Sequence, residues 1–351
     1  MRYLIILFSL FLSGCADVAS LNQNQQIGAL ALKPLYRDPV FDGAADPSII
    51  FSTAEKKWLM FYTNRRANVP GLTNVSWVHG TPIGIAESVD GANWSYRSTV
   101  NFPKDIPGTS NVETATYWAP AVLEHEGIYH MYLTIVPGVF EDWNHPRTIV
   151  HLTSADLKNW AYQSTLPLTS DRVIDASVLQ LPDGRWRLWY NDELAGKKTF
   201  YADSKDLYHW EDKGSANLPT DRGEAPLAFY WKGHYWLIND LLGNIGLGVY
   251  RSSDALNWQR QSSNLLDIPG TGVDDQNGGH HPEVIVSGER AFLYYFVHPG
   301  VNADSVYEKE PALDVKRSSI QVVELQYVDG WLVAQRNNPT YVSLLPGSTR
   351  Q

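Results

Sequence analysis

Hydrophobic positions along the chain fall in short runs that alternate with polar ones or stay apolar between turns, and no long stretch repeats with the 3.6-residue period of an amphipathic helix. Such a pattern predicts strands. Four runs close on the same Ser-x-Asp-x-x-x-Trp signature: SVDGANW (88–94), SADLKNW (154–160), SKDLYHW (204–210) and SSDALNW (252–258). The tryptophans are 66, 50 and 48 residues apart. The Ser and Asp side chains of such a segment can bond their own backbone in a turn, and the Trp then opens the next strand.

Upstream of each signature lies an aromatic strand: KWLMFYTN around Trp58, IYHMYLTI around Tyr129, RWRLWYND around Trp186 and HYWLIND around Tyr235, with a fifth, RAFLYYFVH, around Phe292. Five further apolar runs begin at Asp46, Ala119, Asp175, Glu224 and His281, which precede those aromatic positions by 12, 10, 11, 11 and 11 residues. Each unit therefore reads as four antiparallel strands. Five such units repeated around an axis predict an all-β, five-bladed β-propeller spanning 36–345. Ring closure is expected from 35–41 or from the terminal LVAQR and TYVSLL segments, with 346–351 as a tail.

The first residues, MRYLIILFSLFLSGC, place Arg2 before an apolar run that ends at Cys15, which reads as an export signal. The segment resembles the lipobox of bacterial lipoproteins. That resemblance implies removal of 1–14, lipidation of Cys15, a polar tether over 15–35, and anchoring at the cell envelope, at the outer membrane. Cys15 is the single cysteine, so no intrachain disulfide can form. Lys plus Arg total 28 against 38 Asp plus Glu, a formal charge of -10 with no basic cluster, which excludes nucleic acid as a partner and favours a neutral or cationic ligand. The 13 Trp, 19 Tyr and 11 Phe exceed what folding requires, and flat amphipathic rings suit sugar faces.

In a propeller the first strand of every unit lines the axis, so the aligned starts bring Asp46, Asp175 and Glu224 to one cavity from units one, three and four. Like charges in a partly dry site push at least one pKa upward, which lets an acid and a base coexist. Strand-capping carboxylates and an oxygen cage for a hard cation are the competing readings of the same residues. Adjacent Arg65 and Arg66 point to opposite faces, so one is expected at the site and the other in a structural pair. Trp77 and Trp118 are stacking candidates, and His79 lies in a glycine-flanked polar loop as a substrate contact. His280 and His281 follow Asp274 and Asp275 in TGVDDQNGGHHPEV, whose spacing matches no standard metal motif.

The fragments ADPS with Asp46, YWAPAV at 117–122, IDAS with Asp175, EAP with Glu224 and GGHHPEV at 278–284 together resemble glycoside hydrolase family 43. The resemblance implies an inverting glycosidase with Asp46 as general base, Glu224 as general acid and Asp175 as the carboxylate that orients and tunes the acid. It also implies His280 beside an axial ion or ordered water, such as a structural calcium, with no cofactor required for the chemistry. The insert TNRRANVPGLTNVSWVHGTPIGIAESVDG after the first aromatic strand resembles family 117, which removes 3,6-anhydro-galactose from the nonreducing ends of agar-type oligosaccharides. That family's histidine donor has no counterpart here, where Gly223 precedes Glu224, so His79 or His281 stands as the alternative donor. The expected activity is exo release of a terminal sugar, such as 3,6-anhydro-galactose or a related galactan unit, by a chain that can pair as a homodimer. An arabinofuranosidase or xylosidase, a retaining β-fructosidase, and a surface lipoprotein that captures sugar without cleaving it are the alternatives.

Overall fold

The computed structural model describes residues 28–109, 115–220, 222–302, 305 and 309–348. The signal segment and the lipidation reading at Cys15 lie outside them. The described chain opens with β1 (Ala29–Ala31) and continues into blade one, formed by β2 (Ala44–Ser52), β3 (Lys57–Asn64), β4 (Gly84–Ser88) and β5 (Ser95–Thr99). Blade two is β6 (Thr116–His125), β7 (Ile128–Val136), β8 (Thr148–Ser154) and β9 (Ala161–Thr165). Blade three is β10 (Val173–Gln180), β11 (Trp186–Asp192), β12 (Lys198–Ser204) and β13 (Trp210–Ser215). Blade four is β14 (Gly223–Trp231), β15 (His234–Leu241), β16 (Leu247–Ser252) and β17 (Gln259–Arg260). Blade five is β18 (His280–Ser287), β19 (Arg290–Val297), β20 (Ser319–Val328) and β21 (Trp331–Ala334). In each blade the four strands pair in chain order, which is the five-bladed propeller the repeats predict.

Ring closure differs from expectation. β1 pairs antiparallel with β22 (Thr340–Val342), so the fold begins inside the segment expected to be tether. Ala31, Val342 and Leu344 join a core with Trp58, Phe292 and Tyr294, burying the join between first and last blades. Asp275, from the TGVDDQNGGHHPEV segment, meets Lys33, Arg336 and the Tyr295 hydroxyl, while Asp274 takes Arg37 at 2.5 Å and Ser319 at 2.6 Å. Those carboxylates fasten the incoming chain to blade five.

The repeated signature is a turn with a hook. In the first copy the Ser88 hydroxyl accepts from the amides of Asp90 and Gly91, Asp90 accepts from those of Ala92 and Asn93, and Trp94 Nε1 donates to Gly91 O. The later tryptophans pack edge-on against the middle strand of the preceding blade: Trp160 on Phe61, Trp210 on Tyr132 and Trp258 on Trp189, with ring centroids 6.0, 5.5 and 6.4 Å apart. A polar belt repeats nearer the axis, where Ser48, Ser177 and Glu283 accept from the amides of Val122, Ala228 and Ile49 of the next blade.

Every innermost strand carries a bulge, between Ala45 and Ser48, Trp118 and Ala121, Ile174 and Ser177, Glu224 and Leu227, and His280 and Glu283. The first bulged residue is left-handed in all five: Asp46, Ala119, Asp175, Ala225 and His281 have φ of 49°, 45°, 61°, 49° and 42°. Such conformations are uncommon for residues with a Cβ and cluster at functional sites. This register corrects the sequence alignment at blade four. Asp46 and Asp175 are equivalent, but Glu224 stands one residue earlier, level with Trp118 and His280, and Ala225 holds the bulge.

Candidate active site

A cavity of about 370 Å³ opens above the bulges, within the range of roughly 300–1,000 Å³ usual for small-ligand pockets. Asp46, Asp175 and Glu224 all line it. Pro47, Pro120, Ala176, Pro226 and Pro282, one from each blade, line a further void of about 10 Å³ that shares Asp175 and His281 with this cavity.

The bulges are held by neighbouring blades. Thr63 Oγ1 accepts from the Ala119 amide at 2.8 Å, Thr134 Oγ1 from the Asp175 amide at 3.3 Å, and Asp240 from the His281 amide at 3.3 Å. On blade three the corresponding position is Asn191, which donates to Gly223 O, and Asp175 itself accepts from the Ala225 amide at 3.0 Å. The Asp175 side chain is thereby fixed to the residue that follows Glu224.

The three acids stand in different surroundings. Asp46 is buried and faces two nitrogen groups, Arg65 Nη2 at 3.5 Å and His281 Nδ1 at 3.3 Å. Arg65 is aimed from behind: the His298 Nδ1–H donates to Arg317 O at 2.7 Å, leaving Nε2 to accept from Arg65 Nη1 at 2.8 Å. Burial, then the charges of Arg65 and His280, hold the His298 pKa well below the ordinary range, which keeps that acceptor neutral. Asp175 is raised well above the usual carboxylate range, first by burial and then by Glu224 and Asp46. Glu224 is also raised by burial; Lys197 pulls it down, while Asp240 and Glu193 add to the rise. Lys197 spans Glu224 and Glu193, and Arg147 pairs with Glu193 from the other side.

The insert on blade one folds across the rim. Its turn Ser76–Val78 brings Val78 to the cavity, and Val78 O accepts from Trp118 Nε1 at 2.8 Å. Asn74 reaches Lys309 O at 2.7 Å and Glu141 at 3.1 Å, so the insert is braced against blades five and two. Arg65 and Trp118 line the cavity as expected. Arg66, Trp77 and His79 stand behind its lining. Arg66 donates to Ser76 O at 2.7 Å, Trp77 packs edge-on against His298, and His79 is buried with Nδ1 3.1 Å from the Thr116 hydroxyl. Burial, then Arg147 and Arg66, lowers the His79 pKa to about 4, which makes it a poor proton carrier near neutrality. His281 Nδ1 lies 3.3 Å from the Asp46 carboxylate.

His280, expected beside an axial ion or ordered water, has both ring nitrogens within reach of protein acceptors. Nδ1 meets Asp240 at 3.1 Å and Nε2 meets Asn244 Oδ1 at 3.1 Å, two acceptors that call for an N–H on each nitrogen. Burial works against the charged ring, but Asp240 prevails and the His280 pKa is raised. Among the described residues no cluster of three His, Cys, Asp or Glu could hold a metal ion.

Sequence reading missed Arg147, Trp143, Arg172, Glu193, Lys197 and Asp240, all of which line the cavity. They lie in loops and middle-strand ends without repeat equivalents of the same type. Trp143 is 51% exposed at the mouth, with its ring 6.1 Å from that of Trp118, an arrangement suited to stacking on a sugar.

No protein-family model matches the chain, and no curated protein matches it. Solved structures do. A thermostable family-43 glycoside hydrolase is 16% identical with a TM-score of 0.61, covering 87% of this chain and 98% of its own. A xylan β-1,4-xylosidase from Bacillus halodurans C-125 is 17% identical with a TM-score of 0.62, covering 86% of this chain, which spans 57% of that protein. A family-43 β-1,3-galactosidase solved with galactodeoxynojirimycin is 16% identical with a TM-score of 0.60, covering 87% and 97%.

Proposed function

Starting from the five-bladed fold that this chain shares with solved family-43 glycoside hydrolases, we propose that it is an inverting, exo-acting glycoside hydrolase. The observation that carries the proposal is the division of roles among the carboxyls of one cavity: Asp46 faces Arg65 and His281, whereas buried Asp175 is raised well above the usual carboxylate range and half-buried Glu224, beside Lys197, is raised as well. Inverting hydrolysis needs one carboxylic acid beside the leaving oxygen and one carboxylate that activates water on the opposite face of the sugar, about 6.5–9.5 Å apart.

In this reading Glu224 gives its proton to the departing oxygen as the glycosidic bond breaks. Asp46 takes a proton from the water that attacks the anomeric carbon. Arg65, oriented by His298, sets the Asp46 carboxylate, and Asp175 positions the backbone at Ala225 and so the acid before it. Lys197 supports Glu224 once it has become a carboxylate. The insert from blade one walls one side of the rim, which favours a chain end over an internal stretch.

For the sugar we propose a galactan unit, on the resemblance of the insert to enzymes that release 3,6-anhydro-galactose. The solved relatives include xylosidases and an arabinanase as well as a galactosidase, so xylose and arabinose define the competing specificities. We further propose that the protein acts as an exported lipoprotein held through Cys15. Incubation with neoagaro-, carrageenan-, arabino- and xylo-oligosaccharides, read by mass spectrometry, tests the function. One monosaccharide per event is expected; a ladder of internal fragments contradicts exo cleavage, and intact sugar throughout contradicts hydrolysis.

A further inference from the structure

Arg147 and Arg172 are brought together by their backbones. They form a parallel bridge in which the Arg147 amide donates to Asp171 O at 2.7 Å and the Val173 amide donates to Arg147 O at 3.2 Å. Both guanidinium groups then converge on Trp143 O, Arg147 Nη2 at 2.6 Å and Arg172 Nη2 at 3.2 Å, and Arg172 Nη1 reaches Asn144 Oδ1 at 2.8 Å. Glu193 is the carboxylate beside Arg147, and Lys197 shares it at 3.1 Å. Among the described residues no carboxylate lies within ion-pairing distance of Arg172.

Two arginines fixed side by side on a cavity wall repel each other unless an anion joins them, and the planar guanidinium fork matches the oxygens of a carboxylate or sulfate. Arg65, Arg147, Arg172 and Lys197 all line the cavity, and of these four Arg172 alone has no carboxylate partner among the described residues.

Resting on the glycosidase reading, we propose that Arg147 and Arg172 form a subsite for an anionic substituent, a carboxylate or a sulfate ester, on the sugar held in the cavity. Trp118 and Trp143 flank the pair and would cover the apolar face of the same sugar, with Arg147 already 5.6 Å above the Trp118 ring.

The test is calorimetric titration of the full mature chain with galactose, galacturonic acid and galactose 6-sulfate. At least one anionic sugar should bind about tenfold more tightly than galactose, the effect of about one added charge-assisted hydrogen bond. Preference for galacturonic acid alone identifies a carboxylate subsite, and preference for galactose 6-sulfate alone a sulfate subsite. In Arg172→Gln the preference should collapse to about one, and Arg172→Lys should restore part of it; thermal unfolding of both variants establishes that they fold. Equal binding of all three sugars, no binding of either anionic sugar, or an undiminished preference in folded Arg172→Gln overturns the inference. A parent that cleaves neutral oligosaccharides without any anionic preference leaves the glycosidase reading standing. A parent that prefers anionic sugars and cleaves nothing does the reverse.

Discussion

The carboxylate of Asp175 accepts a hydrogen bond from the Ala225 amide at 3.0 Å, so a residue on blade three holds in place the bulge that carries Glu224 on blade four. Both residues at the ends of that link, Asp175 and Ala225, have left-handed backbones. The contact sets beside Glu224 a second carboxyl whose pKa is also raised, first by burial and then by the charge of Glu224.

Asp175→Asn separates the two duties of this side chain. Asparagine keeps an acceptor for the Ala225 amide but cannot ionise. Because the folded pKa of Asp175 is raised, the stability it contributes is complete below the unfolded pKa and is lost as pH rises through the folded one. The melting temperature of Asp175→Asn minus that of the parent should therefore grow from acid to neutral pH. Asp175→Ala strands a buried amide and should cost about 1–3 kcal/mol. Denaturant unfolding across pH checks both, and a gap that narrows with rising pH contradicts the assignment.

Lys197 should set the basic limb of the activity profile. Its charge lowers the Glu224 pKa against the rise caused by burial. Lys197→Met removes that influence, so Glu224 should stay protonated to higher pH and the basic limb of kcat/KM should move upward. The pH profile of the variant decides, and a downward displacement would show that Lys197 acts on another group.

Cys15→Ser should abolish lipid attachment and release the protein from membranes. Detergent partitioning and the mass of the processed chain check this. An unchanged mass and unchanged membrane association would mean that Cys15 carries no lipid.

Much of this organisation is written locally in the chain. The SxDxxxW turns bond within themselves and the last three place their tryptophans on the preceding blade, so their spacing marks four blades and the fifth aromatic strand adds the last. The acids were legible as well, but the alignment at blade four was not, because Glu224 invites comparison with Asp46 and Asp175. The prolines carry the better signal: Pro47, Pro120, Pro226 and Pro282 each follow a left-handed residue, and aligning on them selects Ala225. The Arg147–Glu193–Lys197 cluster had no such mark, since Arg147 comes from blade two and Glu193 and Lys197 from blade three, and they meet only when those two blades pack.

The pair Glu224→Gln and Asp46→Asn, assayed on the natural oligosaccharide and on an aryl glycoside with a good leaving group, tests the division of roles most directly. Loss of the acid should reduce the rate on the oligosaccharide by about 10²–10⁴. The aryl glycoside needs little protonation, so Glu224→Gln should recover much of its activity there. Asp46→Asn should stay inactive on both substrates, because the attacking water lacks its base whichever group departs. Near-parent activity of Glu224→Gln on the oligosaccharide, or equal rescue of the two variants by the aryl substrate, would contradict the assignment of acid and base.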